Sequence, residues 1–354
     1  MPHFTPHSLP VLIGSLPLKD HAAAAELIIT CTPEIPLWPQ LPAFPREGMI
    51  RQFLPGFPGV TEKAGKVYID SGRNGFEEEI LAFYEEYLMV TETGADLNGS
   101  RFALSEEEAR GFFTFLEVAG KHRQQLVALK GQITGPITFC TGVVDQDGRA
   151  IFYNDQLRDA AVKMLALKSR WQTRQMRNIA DRTLLFFDEP ALAGLGSSAF
   201  ITISTEEIIA CFAEVFEAAR AEGGLVGVHV CANTEWSVIF DAAVDILSYD
   251  AYTYFDKLLL YPDHLRRFLE RGGILASGII PTDEEHIDIE SSDSLAARWE
   301  RQTEQLTQLG FPRETIVAQT LITPSCGTGS ISEAHARKVL ELTHDVSAII
   351  RARN

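Results

Sequence analysis

Seven short runs of apolar and β-branched residues recur along the chain, separated for the most part by stretches long enough to form helices. They are VLIGS at 11–15, LVALKGQI at 126–133, TLLFFD at 183–188, LVGVHV at 225–230, DILSYD at 245–250, GILASGI at 273–279 and TIVAQTL at 315–321. Strands that alternate with helices demand βα crossovers and hence a parallel sheet. The helical stretches are legible: one opens at Phe76 with apolar residues at 80, 81, 83, 84 and 88, and one from Asp155 holds a single stripe for about seven turns. Others cover 205–221, 263–271, 292–309 and 332–351. KVYID at 66–70 supplies an eighth strand. The expected fold is therefore α/β, a single (β/α)8 TIM barrel with residues 1–354 as one domain. No G-x-G-x-x-G follows an early strand, which removes the main sign of a dinucleotide fold. Prolines at 33, 36, 39, 42, 45, 55 and 58 mark 32–66 as a proline-rich insertion near the barrel mouth.

A net charge of −17 argues against a general nucleic-acid or anionic-membrane surface and leaves small molecules or proteins as partners. No apolar run approaches the ~18 residues of a membrane span, and the N-terminus lacks a signal-peptide pattern, so a cytoplasmic setting is expected. The five cysteines are scattered, unlike a secreted disulfide framework. Cys31, Cys140 and Cys211 sit among apolar neighbours and read as buried, inert thiols. Cys231 and Cys326 stand apart.

In a strand, residues two apart share a face, so His229 and Cys231 present an imidazole and a thiol side by side. In a barrel, functional residues gather at the C-terminal strand ends. Those ends hold Gly14 and Ser15, Gly135-Pro136, Asp188-Glu189-Pro190, His229 with Cys231, Asp250, and Cys326 shortly after the last strand. Two thiolates and an imidazole suit zinc. Cys326 lies 95 residues beyond Cys231, so the fold must gather the ligands. Asp250, ending the neighbouring strand, is the preferred fourth ligand; Glu235 or water is the alternative. The plainer readings are a satisfied core pair for His229 and Cys231, and a helix N-cap for Asp188-Glu189-Pro190. His122, His264, His286 and His335 read as surface or helix residues.

IGSLP at 13–17, LKGQITGPITF at 129–139, FFDEPAL at 186–192, HVC at 229–231, DILSYD at 245–250 and ITPSCGTGS at 322–330 run in one order across nearly the whole chain. In this combination the chain resembles the zinc methyltransferases of the methionine synthase and uroporphyrinogen decarboxylase superfamily, above all the C-terminal catalytic barrel of cobalamin-independent methionine synthase. The resemblance implies zinc on His229, Cys231 and Cys326 with a carboxylate at Asp250. It also implies that Gly14 and Ser15 hold the carboxylate of homocysteine, and Asp188 its amino group. The implied reaction moves a methyl group to a thiol, homocysteine giving methionine. The donor is a methylated corrinoid, free or on a corrinoid protein, or methyltetrahydrofolate. The chain departs from the family in carrying Asp250 for a glutamate and GTGS after Cys326, in holding one barrel where the family has two in tandem, and in lacking a clean counterpart to the family's G-E-P-E-R-type segment. Two other classes stand beside this one. A uroporphyrinogen decarboxylase-like lyase wants an R-x-A-G-R-type segment, of which 49–60 supplies only Arg51. The third class is a non-catalytic zinc or thiol-binding protein.

Overall fold

The computed structural model describes residues 4–195, 200 and 202–353. A short antiparallel hairpin, β1 (Val60–Lys63) and β2 (Lys66–Ile69), precedes the main sheet. That sheet holds six parallel strands in chain order: β3 (Leu129–Thr134), β4 (Thr183–Asp188), β5 (Leu225–Val230), β6 (Ile246–Tyr249), β7 (Ile274–Ile280) and β8 (Thr320–Pro324). It curls into a half-barrel covered by helices. β3, β4 and β7 are buried at every position, which is why their sequences run apolar without alternation. The helices Asp155–Arg177 and Thr205–Ala221 pack side by side outside the strands. The second carries the Ser204–Glu207 capping box that its S-x-x-E spacing announces. Leu9, Val11, Leu184, Ile246, Ile274 and Leu321 cluster against one another on the inner side of the sheet and fill the N-terminal part of its hollow.

The sheet's two edges are both engaged by N-terminal backbone. Along β8, Val11 N donates to Ile322 O (2.9 Å) and Ile322 N to Leu9 O (3.0 Å). Along β3, Lys130 N donates to Pro36 O (3.0 Å). The two N-terminal segments meet where Gln40 N donates to Gly14 O (3.1 Å) and Leu16 N to Gln40 O (3.0 Å).

Eight strands in one barrel sheet are not found among the described residues: the parallel sheet has six. VLIGS at 11–15 is extended but joins its neighbours through isolated bridges at Pro10 and Ser15, and Pro10 has no N–H to extend the ladder. KVYID at 66–70 is no barrel strand: Ala64 (φ +52°) and Gly65 (φ +76°) turn the chain back on β1 and leave the segment in the hairpin. Part of the 32–66 stretch is more than an insertion. Leu37 bridges Lys130 in parallel, since Pro36 forfeits its donor yet keeps a carbonyl that accepts from Lys130 N. TIVAQTL divides: Arg313–Ala318 is helical behind Pro312, and the strand begins at Thr320.

Candidate metal centre

β5 delivers His229 near its C-terminal end, and Cys231 follows just beyond it. The strand's period of two turns both inward, while Val230 enters the helix-facing core. Cys326 arrives from the loop after β8, anchored where Ser325 N donates to Ile280 O (2.8 Å). The ligand atoms of His229, Cys231 and Cys326 all lie within 4.8 Å of one another. A tetrahedral zinc with sulfur at ~2.3 Å separates its sulfur donors by about 3.8 Å, so the three fit such an ion with little adjustment.

The imidazole is set for ligation. His229 is buried, and its Nδ1 lies 2.9 Å from the Oγ of Ser248, its register partner on β6. With Nδ1–H given to Ser248, the lone pair sits on Nε2, a buried atom that has no hydrogen-bond partner. The two thiols share a proton. The hydrogen bond from Cys326 and the neighbouring imidazole of His229 push Cys231 far below an ordinary thiol, and Cys326 is raised as the member that holds the proton.

Asp188 ends β4 beside His229. Burial pushes its carboxyl up to about 6, with His229 and Lys130 pulling the other way, and its Oδ1 has no partner. Glu189 does different work. Fully buried, it accepts from Ile137 N (2.9 Å), Thr138 N (2.7 Å) and Thr138 Oγ1 (2.7 Å), tying down the start of the helix Pro136–Gly142. A Cβ at Gly135 would lie 2.2 Å from Glu189 Oε1, so the Gly135-Pro136 pair belongs to this lock.

Asp250 caps the helix Ala251–Leu258, its Oδ1 accepting from Thr253 N (2.9 Å), and it falls outside the three-residue group. Glu235 also falls outside; it accepts from Ser237 Oγ (2.6 Å) and is hydrogen-bonded to Tyr261. Ser15 is bound into the loop after Cys326. Its carbonyl accepts from Thr328 N and Oγ1 (both 3.0 Å), and its Oγ accepts from Gly329 N (3.2 Å). A Cβ at Gly327 would lie 2.3 Å from Ser15 Oγ, which explains the glycine after Cys326.

A cleft of ≈ 300 Å³ opens over the centre, lined by Gly14, Ser15, Asp188, His229, Cys231 and Cys326 among others. The structure thus brings together Gly14, Ser15, Asp188, His229, Cys231 and Cys326, with Asp250 and the alternative Glu235 outside the lining. The lining also includes Gln40, Glu47 and Met49 of the proline-rich segment and contains no lysine or arginine. Sequence reasoning missed these three, as it missed Ser248; the strand period places Ser248 on the face of Asp250, but only the β5–β6 register puts it opposite His229. Cys31, Cys140 and Cys211 are buried, free and raised by burial, as inert thiols should be. His264, His286 and His335 lie on the outer helices beside Asp241, Asp283 and Asp288.

No family profile matches the chain, and no curated protein matches it. Solved structures of similar shape include a B12-independent methionine synthase from Shewanella sp. W3-18-1 in complex with selenomethionine. It is 17% identical, with 68% of this chain and 67% of that one covered at a TM-score of 0.46. A putative vitamin-B12 independent methionine synthase from Listeria monocytogenes is 12% identical, with 97% of each chain covered at 0.49. The tandem GH20 catalytic modules of the pneumococcal exo-β-D-N-acetylglucosaminidase StrH score 0.45 at 11% identity, over 96% of this chain and 85% of that one. Likenesses this distant do not separate one chemistry from another, and the functional reading rests on the site.

Proposed function

We propose that the chain is a zinc-dependent thiol methyltransferase that methylates homocysteine or a related small thiol, with the two N-terminal segments as the irregular first staves of an eight-position barrel. The observation that carries this reading is the convergence of His229, Cys231 and Cys326, with the unpartnered Nε2 of His229 among their ligand atoms. Zinc held there supplies Lewis acidity that keeps a substrate thiol deprotonated at neutral pH. Asp250 or water completes the ligand set; a carboxylate that caps a helix through one oxygen keeps a second for a metal.

The protein's own part is positioning. Ser248 holds the imidazole's tautomer, and Gly14 and Ser15 offer backbone and hydroxyl groups to the substrate carboxylate. Asp188 faces its ammonium with an oxygen that lacks a partner. In the reaction the sulfur attacks the methyl carbon in line, the C–S bond forms, and the donor leaves with the electron pair of its bond to methyl. The thiol proton goes to solvent. Methylated corrinoid and methyltetrahydrofolate both remain as donors. The five free cysteines suit a reducing cytoplasmic setting. A porphyrinogen decarboxylase is disfavoured, because its carboxylate-rich substrate would meet no cation in the cleft and Arg51 pairs instead with Glu62 (3.1 Å).

The test is metal content of the purified protein beside Cys326→Ser, followed by thiol consumption with homocysteine and each donor in turn. About one zinc per chain, lost in the variant, with thioether formed from one donor, is the expected result. Absence of zinc from metal-replete wild type would sink the assignment, and zinc without turnover would favour a thiol-binding protein.

A further inference from the structure

Beneath the centre lies a fully buried lysine for which the methyl transfer has so far needed no role. Lys130 is the second residue of β3, and its Nζ donates to Ile13 O (2.5 Å) and lies 4.5 Å from the centroid of the Phe186 ring. Ile13 is the residue immediately before Gly14. Phe186 stands two residues before Asp188 on the same inward face of β4. Burial lowers the ammonium to about 8 while Asp188 pulls the other way, so it is charged at neutral pH.

Such a group is costly to bury, and an apolar side chain of similar length would fill the same space without stripping an ion of water. Its one carbonyl and one ring leave it with donors to spare, while the Asp188 Oδ1 above is a buried acceptor with no partner. Any charge within a hollow this dry acts over several ångströms. Among the described residues the cleft lining holds no lysine or arginine, so the ammonium that acts on Asp188 is that of Lys130 below it.

Resting on the thiol-methyltransferase reading, we propose that Lys130 is a positioning residue. Anchored on the Ile13 carbonyl and under the Phe186 ring, it stands as the counter-charge beneath Asp188, the receptor for the substrate's ammonium end.

The test uses zinc-loaded protein and measures binding of two thiols by calorimetry, homocysteine and 4-mercaptobutyrate, the second lacking the amino group. Lys130→Met should take up zinc as wild type does and bind homocysteine about tenfold more weakly, while 4-mercaptobutyrate changes by no more than about twofold. Because Lys130 acts through Asp188, the Lys130→Met/Asp188→Asn double variant should bind homocysteine no worse than Asp188→Asn alone. Unchanged homocysteine affinity, equal loss for both thiols, or multiplying losses in the double variant would each overturn the assignment. Should Lys130→Met fail to fold, Lys130→Gln, which keeps a donor to Ile13 without the charge, is read against the same outcomes. Wild type that binds zinc but neither thiol would instead overturn the parent reading, and the role of Lys130 with it.

Discussion

At the scale of single residues the centre depends on small hydrogen bonds as much as on its ligands. Ser248 lies outside the cleft lining, yet its Oγ engages Nδ1 of His229 (2.9 Å) and leaves Nε2 toward the thiols. Ser248→Ala is expected to weaken zinc binding by about 10–100-fold with little change in fold, measured by chelator competition. Asp250 serves two roles that substitution can separate. Asp250→Asn keeps an oxygen for Thr253 N, whereas Asp250→Ala loses the cap and about 1 kcal/mol of stability in denaturant titrations. Equal zinc affinity in both variants and wild type would remove Asp250 from the ligand set. The nominated residues were legible because each ends an apolar run. Ser248 was not, since a serine inside DILSYD carries no mark of the histidine one strand away.

At the scale of elements, the turn from β3 into the helix Pro136–Gly142 is held from β4. The buried Glu189 carboxylate replaces the partners that the first N–H groups of any helix lack. Glu189→Ala should cost about 2–4 kcal/mol, because it strands two buried amides and a hydroxyl at once. Gly135→Ala should also destabilise, by about 1–3 kcal/mol, since the added methyl displaces that carboxylate. Both are read by urea denaturation, and a loss under about 0.5 kcal/mol in either would show that the lock is not a source of stability. DEP thus contains two neighbours with separate duties, Asp188 facing the cleft and Glu189 facing a helix end; a strand's alternation announces opposite directions but not what each side chain meets. The same limit misled the reading of KVYID, whose β-rich composition fits a hairpin as well as a barrel stave.

At the scale of the whole molecule, the buried ionisable groups oppose one another across the pH range. Burial raises Glu189 to about 7 and Asp188 to about 6; such groups contribute stability in full below their unfolded values, and it is lost as pH rises through those folded values. Burial lowers Lys130 and Lys168 to about 8; their contribution is full above ~10.5 and is lost as pH falls through about 8. With Cys231 and Cys326 both replaced by serine, so that the depressed Cys231 thiol does not offset the trend, the metal-free protein should be least stable between about pH 7 and 8, a dip that urea midpoints at several pH values would reveal. A maximum there would contradict it. Among the described residues Lys168 donates only to the carbonyl of Arg101, at 3.5 Å, with the Glu108 charge partly offsetting its burial, so Lys168→Met is expected to stabilise by about 1–2 kcal/mol at pH 7 and to flatten the alkaline limb.

The order of strands and helices, and the sharing of one face by His229 and Cys231, follow from the sequence alone, because apolar period and strand alternation are local properties of the chain. The approach of Cys326 across 95 residues was suggested by its place after the last strand and strengthened by resemblance, and the meeting of Ser248 with His229 was not suggested at all. Nor did sequence show Lys130 beneath Asp188, or the proline-bearing segment lying along β3. Those contacts depend on which strands pair, in what register, and how the sheet curls. They are set by hydrogen bonds and packing between distant segments, and only the assembled tertiary structure decides them.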